Sequence, residues 1–321
     1  MASLLSLFVY SLVAVLAILP PSSGQLVPDY YDKVCPQALP TIRQIVSNAV
    51  QQEPRMGASL LRLHFHDCFV NGCDGSNLLD DMGTFVGEKT AGPNLNSARG
   101  FEVIDEIKEA VNLACNGNVV SCADIVAVAA RDSVSLLGGP SYEVLLGRKD
   151  SRTASFNDAN TMIPAPTFDF PSLLSNFESH GLSLKDLVVL SGGHTVGLAH
   201  CSFYRARIYN DTDVSTEYAA ILKQGCPIFG GDNFMTGLDS STPTAFDTLY
   251  FQGLMQQKGL LHSDQQLLSG GNIESEHLVS FYSNNPETFA ADFGASMIKM
   301  GNMGNLAEFQ GEIRFNCRKI N

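Results

Sequence analysis

The chain has 321 residues, with 20 basic against 33 acidic side chains for a net charge of −13, and is 45% hydrophobic and 17% charged. That balance excludes wholesale disorder, and the acidity sets the chain against nucleic acid and pectin-like polyanions as partners. The length corresponds to about two domain-sized units. Leu4 to Leu19 is an almost wholly apolar run, followed by Pro20-Pro21 and Ser22-Ser23-Gly24. It falls short of the ~18–20 residues needed to cross a bilayer, so residues 1–24 are read as an export signal cleaved before Gln25. Downstream, Ile42, Ile45, Val46, Ala49 and Val50 recur at i, i+3, i+4, i+7 and i+8, predicting a helix that ends at Pro54. The run Arg62-Leu63-His64-Phe65-His66-Asp67-Cys68-Phe69 is placed on the next helix. Phe101, Ile104, Ile107 and Val111 mark another, and Cys122 to Ser135, Leu173 to Ser179 and the segments near 182–191 and 244–258 also read as helical. The Pro-rich turn Ile163-Pro164-Ala165-Pro166 divides the chain near its middle. No internal repeat, coiled coil or extended strand-alternating region competes, so the fold class is mainly α.

Cysteines 35, 68, 73, 115, 122, 201, 226 and 317 make an even count in an apparently exported chain, which predicts four disulfides among 105 possible pairings. Cys68-x4-Cys73 as half a zinc site is a weak alternative, because no second close pair exists and its neighbours are oxygen donors. One sequon, Asn210-Asp211-Thr212, predicts a glycan on Asn210 at the surface.

On a helix, Arg62, Phe65 and His66 fall at i, i+3 and i+4, so one face carries a fixed cation, an aromatic wall and a titratable base. His64 points about 200° away from His66, and the two cannot grip one metal from the same helix. A base that moves a proton beside a cation that stabilises growing negative charge is what cleavage of a peroxide O–O bond requires. In Leu190-Ser191-Gly192-Gly193-His194-Thr195 a histidine follows a glycine pair, where backbone can approach a large flat ligand. Asp67, Asp74 and Ser76 supply hard oxygens around a short loop, a modest signal for calcium.

These runs, RLHFHDCF and LSGGHT, together with the ending GEIRFNCRKIN, resemble the plant-type haem peroxidase superfamily, and within it the secreted plant (class III) peroxidases. The resemblance runs from about Tyr30 to Asn321. It implies one haem peroxidase domain over residues 25–321, built as two helical lobes with haem b between them. The distal lobe would cover about 25–163 plus the C-terminal segment, and the proximal lobe about 164–300. It implies His194 as the axial ligand, with Asp264 accepting that histidine's other N–H. His66 would be the base for hydrogen peroxide, with its tautomer fixed by Asn94, and Arg62 the electrophilic aid. Phe65 would shield the reacting face and confine donors to the haem edge near Pro164 and Phe203. Two calcium ions are implied: a distal one held by Asp67, Val70, Gly72, Asp74 and Ser76 with Glu88 reaching it through water, and a proximal one held by Thr195, Asp239, Thr242, Ala245 and Asp247. The implied pairings are Cys35–Cys115, Cys68–Cys73, Cys122–Cys317 and Cys201–Cys226.

The implied activity is reduction of hydrogen peroxide with one-electron oxidation of small phenolic donors. The protein would be an extracellular monomer of the cell wall or apoplast, with no C-terminal extension for vacuolar sorting. His64, His180, His200, His262 and His277 are read as structural or solvent-facing. Three departures stand out: the chain has no tryptophan, and Gly92 and Thr167 stand where bulkier side chains often line the haem-edge opening. A wider access channel is the expectation.

Overall fold

The computed structural model describes residues 26–304 and 311–321. The expected export signal, 1–24, lies outside the described residues. Thirteen α-helices carry the architecture among these residues. The first four are α1 (Ala38–Gln52), α2 (Arg55–Cys68), α3 (Phe101–Ala114) and α4 (Cys122–Leu136). Helix α1 buries Ile42, Ile45, Val46 and Val50, as its apolar spacing requires. It stops at Gln52, and Pro54, whose fixed φ suits a helix start, caps α2 instead.

Helix α4 runs through the middle of this group, with every residue from Cys122 to Ala130 buried. Its start is fixed by Ser121, whose hydroxyl accepts from the Asp124 backbone N–H at 3.1 Å. Asp124, itself buried, takes hydrogen bonds from Tyr31 Oη at 2.7 Å, Gly147 N at 2.7 Å and Arg148 at 2.9 Å. The C-terminal segment returns to the same place. Arg314 is fully buried, its backbone N–H donates to Asp150 Oδ2 at 2.8 Å, and Asp150 Oδ1 accepts from Ala123 N at 2.9 Å.

The remaining helices are α5 (Phe156–Met162), α6 (Phe170–Ser179), α7 (Leu184–Ser191), α8 (Cys201–Asn210), α9 (Thr216–Gly225), α10 (Leu249–Met255), α11 (His262–Ser269), α12 (Ile273–Tyr282) and α13 (Pro286–Gly301). A capping box sets the start of α7: Ser183 Oγ accepts from Asp186 N at 3.2 Å, and Asp186 Oδ2 accepts from Ser183 N at 2.7 Å. Asp186 also accepts from Ser296 Oγ at 2.9 Å, which pins α7 to α13. A single antiparallel ribbon, β1 (Leu198–His200) with β2 (Met235–Gly237), is the one sheet among the described residues.

The helix expected over 244–258 contracts to α10, because Asp247 Oδ1 accepts from Leu249 N at 2.8 Å and fixes the preceding residues as a turn. Four disulfides join Cys35 to Cys115, Cys68 to Cys73, Cys122 to Cys317 and Cys201 to Cys226, and none of the eight cysteines is free. His64 lies beside Cys68 and Cys73 with metal-like spacing, but bonded sulfurs offer no thiolate, so this cluster is not a metal site. No helix among the described residues is long and apolar enough to cross a membrane.

Candidate active site

A cavity of about 260 Å³ opens between the first helical group and the second. Helix α2 supplies one wall. Being near its C-terminal end, Arg62, Phe65 and His66 share the helix face that looks into the cavity. His64 faces the other way, buried against Arg148 and Gly301, where burial pushes its pKa down to about 3 and the nearby guanidinium adds to the effect. The helix-phase argument against a two-histidine metal site holds.

His66 is held at both nitrogens. Its Nδ1 lies 2.5 Å from Asn94 Oδ1, an acceptor only, so Nδ1 carries the proton. Nε2 is then the free base and accepts from Arg62 Nε at 3.1 Å. Asn94 is oriented in turn by donating to the Glu88 carbonyl at 2.9 Å. Burial, then the Arg62 charge, hold the His66 pKa well below the ordinary histidine value. Arg62 itself is anchored by the Pro93 carbonyl at 2.7 Å and Ser97 Oγ at 3.1 Å. Burial lowers its pKa to about 10, which leaves it a cation at neutral pH.

The opposite wall comes from the end of α7, where the chain tightens into a 3₁₀ turn over Gly192–Thr195 that presents His194. The two glycines do different jobs. A Cβ on Gly192 would sit 2.6 Å from the Phe289 ring, so that residue must be small to let the turn pack on the aromatic core. A Cβ on Gly193 would meet nothing nearer than 3.7 Å, and of this pair Gly193 is the one that lines the cavity. His194 Nδ1 donates to Asp264 Oδ1 at 2.7 Å, and Asp264 is buried. Asp264 also caps α11 by accepting from Leu261 N at 3.0 Å, and it accepts from Tyr250 Oη at 3.0 Å. Tyr250 is a member of this site that the sequence reading missed, since nothing in its spacing sets it apart from a core tyrosine.

The cavity is thus an apolar slot with an imidazole, oriented by its own hydrogen-bond partner, on either side. Residues 42–285 match the peroxidase family model. The chain belongs to the peroxidase family. It is 58% identical to Peroxidase RIP1 of Medicago truncatula over 314 residues, 97% of this chain and 96% of that protein. It is 54% identical to Peroxidase 4 of Vitis vinifera over 302 residues, 94% and 93% of the two chains, and 50% identical to Peroxidase 2 of Oryza sativa subsp. japonica over the whole of both. It is a plant haem peroxidase of class III, an enzyme that reduces hydrogen peroxide while oxidising a donor.

In this peroxidase the rest of the cavity wall includes Pro164, Ala165, Pro166, Phe203 and His200, with Arg55, Ser59 and Arg99. His200, expected to be structural or solvent-facing, is half-buried on this wall. Gly92 and Thr167 are exposed and lie off the wall, Gly92 donating its N–H to Asn160 Oδ1 at 2.8 Å.

Just beyond His66, Asp67, Asp74, Ser76 and Glu88 are all buried. Asp67 Oδ2 accepts from Gly75 N at 3.0 Å and Asp74 Oδ1 from Ser76 N at 2.9 Å. Yet Asp67 Oδ1, Ser76 Oγ and Glu88 Oε2 have no hydrogen-bond partner among the described residues. Burial raises the pKa of all three carboxyls, Asp67 well above its usual value with Asp74 adding repulsion, Asp74 to about 6 and Glu88 to about 7. Buried, mutually repelling carboxylates with orphaned oxygens are what a hard divalent cation neutralises, and the site fits calcium. Val70 is buried, and Gly72 (φ 99°) packs so tightly on Gly304 that a Cβ there would lie 2.5 Å from its Cα.

One residue past His194, Thr195 Oγ1 lies 3.2 Å from Asp247 Oδ1. Thr242 Oγ1 is 2.8 Å from both Asp239 Oδ2 and Asp247 Oδ2, two acceptors for one hydroxyl proton. Ala245 sits in the same turn, its N–H donating to the Thr242 carbonyl at 3.0 Å. Here too oxygens outnumber donors, as a cation site requires. Asn210 is exposed at the end of α8.

Proposed function

We propose that the cavity binds one haem b, whose iron His194 would hold, and that peroxide is activated on the face lined by His66 and Arg62. The single observation that supports this most is the pair of opposed imidazoles on one apolar cavity. His194 has its Nδ1 committed to Asp264, and His66 has its Nδ1 committed to Asn94. When bound, haem supplies the iron centre that takes up oxidising equivalents from peroxide. Asp264 strengthens the His194 donor by accepting its proton. His66, with Nδ1–H held by Asn94, takes the peroxide proton at Nε2 and returns it to the leaving oxygen. Its depressed pKa keeps that nitrogen unprotonated at working pH. Arg62 stabilises charge on the departing oxygen. Phe65 excludes bulky donors from this face, and Pro164 and Phe203 form the edge where small phenols give up single electrons. Arg55, on the same wall, presents donors suited to the haem carboxylates.

Two calcium ions complete the reading, one held by Asp67, Val70, Gly72, Asp74 and Ser76 with Glu88 behind them, the other by Thr195, Asp239, Thr242, Ala245 and Asp247. Residues 25–321 act as one domain with its distal lobe at about 25–163 and its proximal lobe at about 164–300. An apolar leader and four disulfides favour an extracellular monomer glycosylated on Asn210. The test is haem titration of the apo-protein, wild type against His194→Ala, followed by a guaiacol assay. Wild type should bind haem stoichiometrically and oxidise guaiacol with peroxide, and His194→Ala should lose stable haem. Unchanged haem binding in the variant would overturn the assignment.

A further inference from the structure

The end of α2, which carries Arg62, Phe65 and His66, meets a histidine that the mechanism does not use. His180 is the residue that closes α6, and Phe69 closes α2 in the same way. The His180 ring is half-buried and lies between these two helix ends. Its Nδ1 is 2.7 Å from the Asn176 carbonyl of α6, and its Nε2 is 3.0 Å from the Phe69 carbonyl. Both partners are acceptors only, and a neutral imidazole has one N–H to give. The neutral ring therefore satisfies one carbonyl and sets a lone pair against the other. The imidazolium donates to both, and its charge then sits at the negative ends of two helix dipoles. The ring also lies on that of Phe69, with centroids 4.4 Å apart and planes tilted by 32°. Phe69 is fully buried and meets Phe65 edge-on at 4.5 Å, and Phe65 meets His66 edge-on at 5.2 Å. The Ser179 hydroxyl approaches the His180 ring as well, 3.4 Å from Nδ1. Of the carboxyls at the two helix ends, Glu178 is exposed and Asp67 is turned away, accepting from Gly75 N at 3.0 Å. Asp158, which meets the chain just past α2, accepts from Asn71 Nδ2 at 3.0 Å.

We infer that His180 is a positioning residue for peroxide activation, a clamp that holds the end of α2 against α6 and grips harder when its ring carries a second proton. The inference rests on the reading of the α2 face given above. One nitrogen ties the ring to α6, the other ties it to the backbone where α2 stops, and the ring face backs Phe69. Phe69 supports Phe65, whose edge limits where the His66 ring can lie. Protonation supplies the missing N–H, so the grip is tightest in acid and slackens as that proton is lost to solvent. The sign is opposite to that of His64, which faces away from the cavity on the same helix and resists a proton.

The experiment compares calcium-loaded holoenzyme with its His180→Phe variant, which keeps a ring on Phe69 and loses both nitrogens. Each is measured at about pH 5 and about pH 8, the span over which histidine side chains ordinarily change charge. Hydrogen exchange of the peptide covering residues 62–72, corrected for intrinsic rates, reads the clamp. A hydrogen bond to a charged group is strong enough that the ratio of wild-type to variant protection should be roughly tenfold larger at the acid pH. The rate of the peroxide-driven change in the haem spectrum should likewise fall further below wild type at the acid pH. In ¹⁵N spectra the His180 ring nitrogens, assigned by their absence from the variant, should both carry protons there. A protection ratio that is the same at both pH values, or one bare ring nitrogen in acid, would show that His180 only fills space. A protection ratio that changes while the peroxide rates of the two proteins stay equal would show a clamp with no part in positioning. Each of these results overturns the inference. A wild type whose haem spectrum does not respond to peroxide would instead overturn the reading of the cavity, with the exchange ratio still deciding whether the clamp exists.

Discussion

His194 and Tyr250 share one oxygen atom: both donate to Asp264 Oδ1, at 2.7 and 3.0 Å. The tyrosine is buried, and its phenol pKa is pushed well above normal by burial and by that carboxylate, so it stays a donor at any working pH. It competes with His194 for the carboxylate's electron density and tempers how basic the imidazole becomes. Tyr250→Phe should therefore lower the haem reduction potential, and Asp264→Asn should raise it. Hydrogen bonds to charged groups are worth about 1.5–3 kcal/mol, so a shift on the order of 30–60 mV is expected if only part of that is felt at iron. Spectroelectrochemistry reads it, and shifts of the same sign in both variants would contradict the sharing argument.

The cation and the base on α2 should separate kinetically. His66→Ala removes proton transfer, typically worth about 10²–10⁴-fold, and Arg62→Leu removes one preorganised charge, worth about 10²–10³-fold. The measurement is the rate of the peroxide-driven change in the haem spectrum under stopped flow. Asn94→Ala should fall between wild type and His66→Ala, since it frees the tautomer without removing the ring. A wild-type rate in either of the first two variants would remove that residue from the mechanism.

Calcium removal should harm activity before haem is lost. Asp67 follows His66 and Thr195 follows His194, so each ion would restrain the backbone that aims one imidazole. Without the distal ion, the buried carboxyls of Asp67, Asp74 and Glu88 repel one another, and a drift of about 1 Å in His66 can cost 10²-fold. Metal analysis of native and chelated protein, beside its Soret spectrum and peroxide rate, tests this. Full activity in calcium-free protein would show the oxygens to be mere neighbours.

His64 should make the fold acid-sensitive. Its folded pKa of about 3 lies below the ordinary value near 6.5, so below 6.5 the unfolded chain binds a proton that the folded chain refuses. Stability contributed by the neutral ring is complete above pH 6.5 and falls, by up to about 1.4 kcal/mol per pH unit, as pH drops toward 3. Denaturant midpoints at pH 7 and 4.5 should fall more steeply for wild type than for His64→Leu. Parallel slopes would mean that the ring is not buried uncharged.

Much of this site could be read from sequence because its residues come in two short runs with helix-phase logic: Arg62, Phe65 and His66 share a face because they are three and four apart. The long apolar stripes of α1, α3 and α4 were equally plain. Helices α8 and α12 were not, because α8 buries Arg207 with Tyr204 and Ile208, and α12 buries Ser275 with Val279 and Tyr282, stripes that do not look apolar. Arg207 is tolerated inside because Asp213, six residues on, and the Gly259 carbonyl, 52 residues on, meet it. Tyr250 was missed for a related reason. It acts through Asp264, brought to it by tertiary folding, and no spacing in the sequence announces such a meeting.

The buried Arg314 has one more consequence. Ala123 and Arg314 reach the same Asp150 carboxylate, and Cys122 is bonded to Cys317, so the end of the chain completes the helical group formed by its beginning. A ribosome delivers Arg314 and Cys317 long after Cys122. The first helical group must therefore wait, with Asp150 incompletely paired and Cys122 unbonded, until Arg314 and Cys317 have been made. Order of synthesis and order of completion run opposite ways, which leaves oxidative folding catalysts a long interval in which Cys122 can be bonded to the wrong partner.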